Sequence, residues 1–209
     1  HEWTSFDSPF DNYLNGDKNV LSSNQIKGMN LFYGKANCSS CHSGSLLTNQ
    51  KFYSLGIPQF GPGRTRSFDP YARDVGRMVE TDDLNDIYKF KTPALRNVSL
   101  TAPYGHNGAY PSLEGIIKHH LDPKEMNKNW KPKFANLPKA KWLEDIDFVT
   151  FSDKREQERI ISSIEIRPID LSDKEIFYLV EFLKSLTGKS GNNRPLGKPN
   201  KVPSGLLID

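Results

Sequence analysis

The feature that most constrains this sequence is a pair of cysteines, Cys38 and Cys41, separated by two serines and followed directly by His42. No other cysteine occurs among the 209 residues, so the chain has no disulfide framework. C-x-x-C-H is the attachment signature of c-type haem, in which two thiols add to one porphyrin and the next imidazole binds the iron. We therefore predict one covalent haem c on Cys38 and Cys41, with His42 as an axial ligand.

Two other kinds of site begin from the same C-x-x-C spacing. A closed structural zinc site needs four ligands, so it would have to add two histidines to these two cysteines. A thioredoxin-like redox pair needs a βαβ setting, and the sequence has no convincing strand pattern. Haem attachment is the interpretation that the sequence favours.

Composition agrees with a haem-centred fold. Hydrophobic residues make up 36% of the chain, which is below the usual share for a globular protein. A haem would supply the missing core of what we expect to be one domain. The net charge of +3 is too small to indicate nucleic-acid binding. With no run of ~18 apolar residues and no signal-peptide pattern, we expect a soluble, already processed chain.

Four segments have apolar residues at helical spacing behind a serine that can cap the helix. These N-caps are Ser22, Ser112, Ser152 and Ser172. Gln25 and Glu175 complete capping boxes with the first and the last of them. Gly34, Pro168 and Gly188 are the expected ends of the first, third and last helices. Residues 43–75 should form a long irregular loop.

This pattern predicts an all-α, cytochrome c-like domain with few helices and long loops around one covalent haem. The expected divisions are an N-terminal extension (1–21), the haem domain (22–188) and an extended C-terminal tail (189–209). Within the haem domain, residues 121–170 are expected to be an insertion with a Lys-rich loop and one helix.

The sixth iron ligand is harder to assign from sequence. In the helix after Ser112, the apolar stripe runs through Leu113, Ile116 and Ile117 to His120. This places His120 on the buried face, towards the haem, and turns His119 away from it. The alternatives are His119, His106, Met78 and Met126.

Basic residues are candidates for two further roles, binding the haem propionates and docking a redox partner. Haem propionates call for nearby cations, and Arg77, Lys91 and Arg96 flank the turn at Thr92-Pro93, although each could equally be solvated charge. A second group is either a docking face for an acidic redox partner or a solvated loop. It comprises Lys124, Lys128, Lys131, Lys133, Lys139 and Lys141, interleaved with Trp130 and Trp142.

Several motifs occur in the order found in a known family. They are residues 28–32, 90–98, 100–108 and 113–114, and the double histidine at 119–120. The most specific is Lys-Thr-Pro-x-Leu-Arg-Asn-Val at 91–98. Together they resemble the C-terminal haem domain of the bacterial di-haem cytochrome c peroxidase and MauG family.

The resemblance implies a periplasmic protein that works with a second, peroxidatic haem domain or chain. The family's Met or Tyr ligand to the corresponding haem aligns with His120. The resemblance also implies a possible calcium site that uses the backbone carbonyls of Thr101 and Pro103, completed by the other domain.

Three functions remain open at this point. The first is an electron-transfer haem domain of a peroxidase-type oxidoreductase, reduced by a small redox protein. The second is a self-sufficient mono-haem peroxidase whose sixth site opens. The third is a zinc or interaction module. The sequence assigns no catalytic residue.

Overall fold

A computed structural model describes residues 6–61, 73–135, 137 and 146–189, and it is mostly helical there. The helices are α1 (Pro9–Leu14), α2 (Ser23–Tyr33), α3 (Met78–Thr81), α4 (Leu113–Leu121), α5 (Pro123–Asn129), α6 (Val149–Ser152), α7 (Lys154–Ser162) and α8 (Asp173–Lys184). Short 3₁₀ turns lie at Cys38–Ser40, Leu84–Asp86, Val98–Leu100 and Pro132–Phe134. The prediction of a mainly helical chain is confirmed.

The helix starts follow the capping signals closely. Ser22 caps α2 and Ser172 caps α8, each through the predicted capping box, and Ser112 caps α4. For α7 the N-cap is Asp153, one residue after the predicted Ser152. Asp153 accepts from two backbone N–H groups, which makes it a good cap.

The helix ends were predicted less well. Gly34 does end α2. However, α8 ends at Lys184, and the Gly188 N–H donates to the Asn97 side chain instead of closing the helix. Helix α7 ends at Ser162, well before Pro168. The predicted tail, residues 189–209, lies outside the described residues except for its first position.

The core is built on the packing of α2 against α8. Gly28 faces the backbone carbonyl of Tyr178, where a Cβ atom would overlap that oxygen. The two helices can therefore approach closely. Phe32 and Phe182 pack beside this crossing with ring centroids 5.2 Å apart. Phe10 of α1 packs edge-on against Phe182.

Helix α1 was missed by the sequence analysis. It starts at a capping box of Ser8 and Asp11, with Pro9 in its first turn. These residues match a known start signal, but the helix has only six residues and no apolar period to support it. Through α1, the N-terminal segment contributes to the main core.

A two-stranded antiparallel sheet was also not expected. β1 (Phe52–Tyr53) pairs with β2 (Phe90–Lys91), with Phe52 opposite Lys91. Strands of two residues are too short to show an alternating pattern. The rest of the described loop from residue 43 onward is irregular, as predicted, up to residue 61.

The segment 121–170 differs from the prediction as well. It contains α5, α6 and α7 within its described residues, where one helix was expected. Across all described residues, no helix is long and apolar enough to cross a membrane.

Candidate haem site

The C-x-x-C-H motif folds as a tight turn directly after α2. The 3₁₀ turn Cys38–Ser40 begins behind Asn37, which adopts a left-handed conformation, and the N–H groups of Cys41 and His42 both donate to the Cys38 carbonyl. This turn holds the two thiols and the imidazole close together. Burial raises the pKa of the free Cys38 thiol to about 12, so this thiol is protonated before any haem is attached.

His42 faces His120 of α4. Their ring centroids lie 6.5 Å apart with an angle of 57° between the ring planes. The Nδ1 atom of His42 is 3.1 Å from the Leu47 carbonyl oxygen, and that of His120 is 2.8 Å from the Ile116 carbonyl oxygen. Since a carbonyl can only accept, each Nδ1 donates. Each neutral ring then keeps the lone pair on Nε2 available for a metal.

The electrostatics of both rings favour the neutral form. Burial, together with the neighbouring His120, lowers the pKa of His42 to about 4. Burial also lowers the pKa of His120, against a smaller opposing effect of its bond to Ile116. At neutral pH both imidazoles are uncharged, as metal ligands must be.

The spacing of the two rings can be compared with what one iron would require. A metal–imidazole nitrogen distance is about 2 Å, and a nitrogen lies a little over ~1 Å from its ring centroid, so two opposed axial ligands have centroids about 6.4 Å apart. The observed 6.5 Å matches this value. The spacing of His42 and His120 is therefore compatible with two imidazole ligands of one iron, in a haem that Cys38 and Cys41 would hold.

His119 does not compete for this position. It is fully buried, with Nδ1 2.8 Å from the Tyr110 hydroxyl and Nε2 2.7 Å from the Leu55 carbonyl oxygen. Both ring nitrogens are thus bonded to protein groups. Burial is the main cause that lowers its pKa, to about 3. The expectation that His119 is turned away from the protein interior was wrong, because partners distant in sequence bury it.

The other proposed sixth ligands have different surroundings. The His106 ring stacks on Phe90 at a centroid distance of 3.5 Å. Met78 packs against a small second apolar cluster that contains Val75, Tyr88 and Ile160, and Met126 packs against the main core. In the described part of the chain, His120 is the candidate whose ring faces His42.

The three predicted propionate partners do not form one cluster. Arg77 pairs with Asp86 at 2.9 Å and lies over the Phe52 ring. Lys91 is exposed on β2. Arg96 donates two hydrogen bonds of 2.8 Å to Asp11 and a third, of 2.7 Å, to the Ser45 carbonyl. The last contacts give Arg96 a structural role that sequence reasoning missed, tying α1 to the segment after the haem motif.

The predicted calcium ligands lie on the surface. Thr101 and Pro103 are exposed, and the Thr101 hydroxyl donates to the Val98 carbonyl. Within the described ranges, no three or more His, Cys, Asp and Glu side chains are grouped so as to hold a metal ion.

The predicted lysine face is only partly as expected. Lys124, Lys128, Lys131 and Lys133 are exposed, whereas Lys139, Lys141 and Trp142 lie outside the described residues. Trp130 is not on the surface: it is 4% exposed, stacks on Phe60 and donates from Nε1 to the Ala109 carbonyl. Trp130 is a core residue, so the interpretation of it as part of a docking face was wrong.

Comparison with known proteins finds no matching family model. It does find curated relatives. The cytochrome-c peroxidase IdrP1 of a Pseudomonas species is 40% identical over 128 residues, covering 52% of this chain and 34% of the relative. The cytochrome c peroxidase Ccp of Escherichia coli is 43% identical over 113 residues, covering 54% and 23%. The methylamine utilization protein MauG of Methylorubrum extorquens is 27% identical over 182 residues, covering 87% and 40%. The chain thus spans about a quarter to two fifths of the length of these relatives.

Solved structures point the same way. A MauG-like protein associated with microbial copper homeostasis superposes with a TM-score of 0.60 and 26% identity, covering 91% of this chain and 55% of that one. The diheme peroxidase BthA of Burkholderia thailandensis superposes with a TM-score of 0.58 over 88% of this chain and 47% of its own. At 22% identity, BthA supports the shared fold alone. The resemblance predicted from the sequence is confirmed.

Proposed function

We propose that this chain, a relative of the bacterial cytochrome c peroxidases and MauG, is a haem c domain that transfers electrons within a di-haem oxidoreductase of that type. The observation that carries the proposal is the opposed pair His42 and His120, 6.5 Å apart between ring centroids. Two imidazoles at that spacing would hold one haem iron between them. An iron held in this way would be suited to electron transfer and would leave no position open for peroxide.

Each residue of the site has a distinct task in this proposal. Cys38 and Cys41 would bind the haem covalently, and His42 and His120 would hold its iron through Nε2. The haem supplies one-electron redox chemistry when bound. The Leu47 and Ile116 carbonyls orient the two imidazoles by accepting from their Nδ1 atoms. Two imidazoles, where the family has Met or Tyr opposite His, should stabilise ferric iron and lower the potential.

The partial coverage of the relatives supports a second haem-bearing domain or chain as partner. The chain covers 47% of the diheme peroxidase BthA, a share that suits one of two haem domains. We place the joint at Thr101 and Pro103, whose exposed positions leave their surroundings accessible to a partner that could complete a calcium site. A small redox protein would donate the electrons, in the periplasm.

The test is to measure the mass, haem type and spin state of the purified holoprotein. We expect the polypeptide mass plus one haem in denaturant, a pyridine haemochrome typical of c-type haem, and a six-coordinate low-spin ferric spectrum. The matched control is Cys38→Ser with Cys41→Ser, which should lose the covalent adduct. A polypeptide that keeps its unmodified mass after expression with a haem-attachment system contradicts the proposal.

A further inference from the structure

Helix α4 carries two adjacent histidines whose side chains point in different directions. Successive residues of an α-helix are about 100° apart around its axis. His120 therefore faces His42, while His119 faces the protein interior and is fully buried. The apolar stripe of α4 does not require a second histidine there, so the partners of His119 indicate what it does.

The hydrogen bonds of His119 have a defined direction. The Leu55 carbonyl can only accept, so Nε2 carries the hydrogen and donates across 2.7 Å. In a neutral ring, Nδ1 then accepts from the Tyr110 hydroxyl across 2.8 Å. An apolar side chain at this position would leave a buried carbonyl and a buried hydroxyl without these bonds.

Both partners of His119 are themselves held in place. The Tyr110 backbone pairs with Tyr104 through two hydrogen bonds of 2.7 and 3.0 Å. Leu55 precedes Gly56, whose carbonyl accepts from Asn127 of α5 at 2.7 Å. His119 therefore joins α4 to two fixed segments, one on either side of its ring.

We propose that His119 is a positioning residue that fixes the rotation of α4 and so places the Nε2 atom of His120 opposite His42. This inference rests on the proposed function, in which His120 binds the iron. Because Cα atoms lie about 2.3 Å from the helix axis and a histidine side chain extends several ångströms further, a rotation of ~10° moves the ligand atom by ~1 Å. A displacement of that size is enough to weaken a metal bond. The bonds to Leu55 and Tyr110 oppose this rotation.

The experiment measures how easily an external ligand displaces His120 from ferric haem. Cyanide is titrated into the haem-loaded full chain, and the apparent dissociation constant and the low-spin fraction are recorded. In His119→Leu we expect cyanide to bind more tightly, by about 10-fold or more, by analogy with the effect on metal affinity of losing a residue that orients a metal ligand. His119→Gln, whose amide can still donate to Leu55, should recover part of this change. Tyr110→Phe removes only the bond to Nδ1 and should have a smaller effect in the same direction.

Ile160→Ala is the control that lowers the stability of the fold without changing His119 or its partners. Ile160 is buried in the second apolar cluster, so its truncation should destabilise the fold and leave cyanide binding unchanged. Equal cyanide binding in wild type, His119→Leu and Tyr110→Phe overturns the inference, as does an equal change in Ile160→Ala. If His119→Leu does not accumulate, the inference is tested by comparing the cyanide dissociation constant of Tyr110→Phe with that of Ile160→Ala. A wild-type protein that is high-spin, or unaffected by His120→Ala, contradicts the proposed function instead, so the two failures are distinct.

Discussion

Neighbouring histidines in this protein have separate tasks. The His120 ring lies 6.5 Å from that of His42, centroid to centroid, and its Nδ1 atom donates to the Ile116 carbonyl, whereas His119 uses both ring nitrogens for hydrogen bonds to Tyr110 and Leu55. Helical periodicity singled out His120 as a candidate ligand because it continues an apolar stripe. Periodicity could not identify the role of His119, since Leu55 lies 64 residues away in sequence.

Replacing His120 by alanine should open the sixth coordination position. The Ile116 carbonyl would lose its side-chain donor, but the helix should persist, because alanine is the best helix former. We expect the ferric spectrum to change from low-spin to high-spin at neutral pH, measured by absorbance and electron paramagnetic resonance. Lys118→Ala, on the same helix but more exposed, is the control. A spectrum that stays low-spin in His120→Ala would contradict the assignment of His120 and transfer the ligand role to Met78 or Met126.

The Asp11–Arg96 pair should contribute stability that depends on pH. Burial by itself raises the pKa of Asp11, but hydrogen bonds from Arg96 and Ser8 outweigh it and hold that pKa below its ordinary value. A carboxyl with a lowered folded-state pKa stabilises the fold fully above its unfolded pKa of about 3.9, and this stabilisation is lost as the pH falls through the folded pKa. The pair is therefore intact at neutral pH and fails in acid.

The measurement is urea unfolding of wild type and Asp11→Ala at several pH values. At pH 7 we expect the variant to lose about 3 kcal/mol, as when one partner of a largely buried ion pair is removed. The difference should shrink as the pH falls below about 4. Glu181→Ala, which breaks an exposed pair with Lys184, is the control and should cost less than about 1 kcal/mol. A difference that does not vary with pH would mean that the Asp11 charge is not what stabilises the fold.

At the scale of elements, the close crossing of α2 and α8 depends on Gly28. A Cβ atom there would overlap the Tyr178 carbonyl oxygen and crowd the Cβ atom of Phe182. Gly28→Ala should therefore force the helices apart and lower the free energy of unfolding by several kcal/mol, about 3 or more, although alanine is the better helix former. Urea unfolding of the holoprotein measures this. Asn30→Ala, exposed on the same helix, should be neutral or slightly stabilising.

Helix starts could be predicted from sequence far better than helix ends. A capping box is a local signal, and Ser22 and Ser172 show it clearly. The end of α8 depends on a distant partner, since Asn97 takes the Gly188 N–H that the prediction used to close the helix. The two short strands depend on each other in the same way across the chain. Long-range contacts of this kind leave no periodic signal in sequence.

The candidate site was predictable only where its residues form a local pattern in the sequence. Cys38, Cys41 and His42 form one local motif, and His120 follows from the period of one helix. The pairing of Arg96 with Asp11 spans 85 residues and was not foreseen. What a single segment encodes can be inferred from sequence, and what two segments create together needs the structure.

At the scale of the whole molecule, the small share of hydrophobic residues is what we expect of a chain that folds around a haem. The main cluster of buried residues draws on α1, α2, α4 and α8, and Cys38 of the haem motif packs against its edge. A haem held at Cys38 and Cys41 would extend this core with apolar surface that the sequence does not provide. The large number of irregular segments then follows from wrapping a cofactor.

Peroxidase activity is the property that should depend most on a partner. Peroxide must bind at iron, and an iron held by both His42 and His120 offers no position until one imidazole leaves. The sequence contains a single C-x-x-C-H motif, so the second, open haem that the proposed function requires would come from another domain or chain. We therefore expect the 209-residue chain alone to turn over peroxide poorly, and to gain activity when a second haem-bearing partner is added.

Steady-state peroxide turnover with a reduced small cytochrome as donor tests this expectation. His120→Ala is the informative companion, because opening the sixth position should raise the rate of the isolated chain above that of wild type. Both should remain far below the rate of the assembled system. Turnover by the wild-type chain alone at ordinary enzyme values, about 1–10³ per second, would contradict the electron-transfer role and favour a self-sufficient mono-haem peroxidase. If the wild-type chain had two imidazole ligands and still turned over peroxide fast, His120 would have to release the iron during turnover. A high-spin signal recorded during turnover would reveal this release.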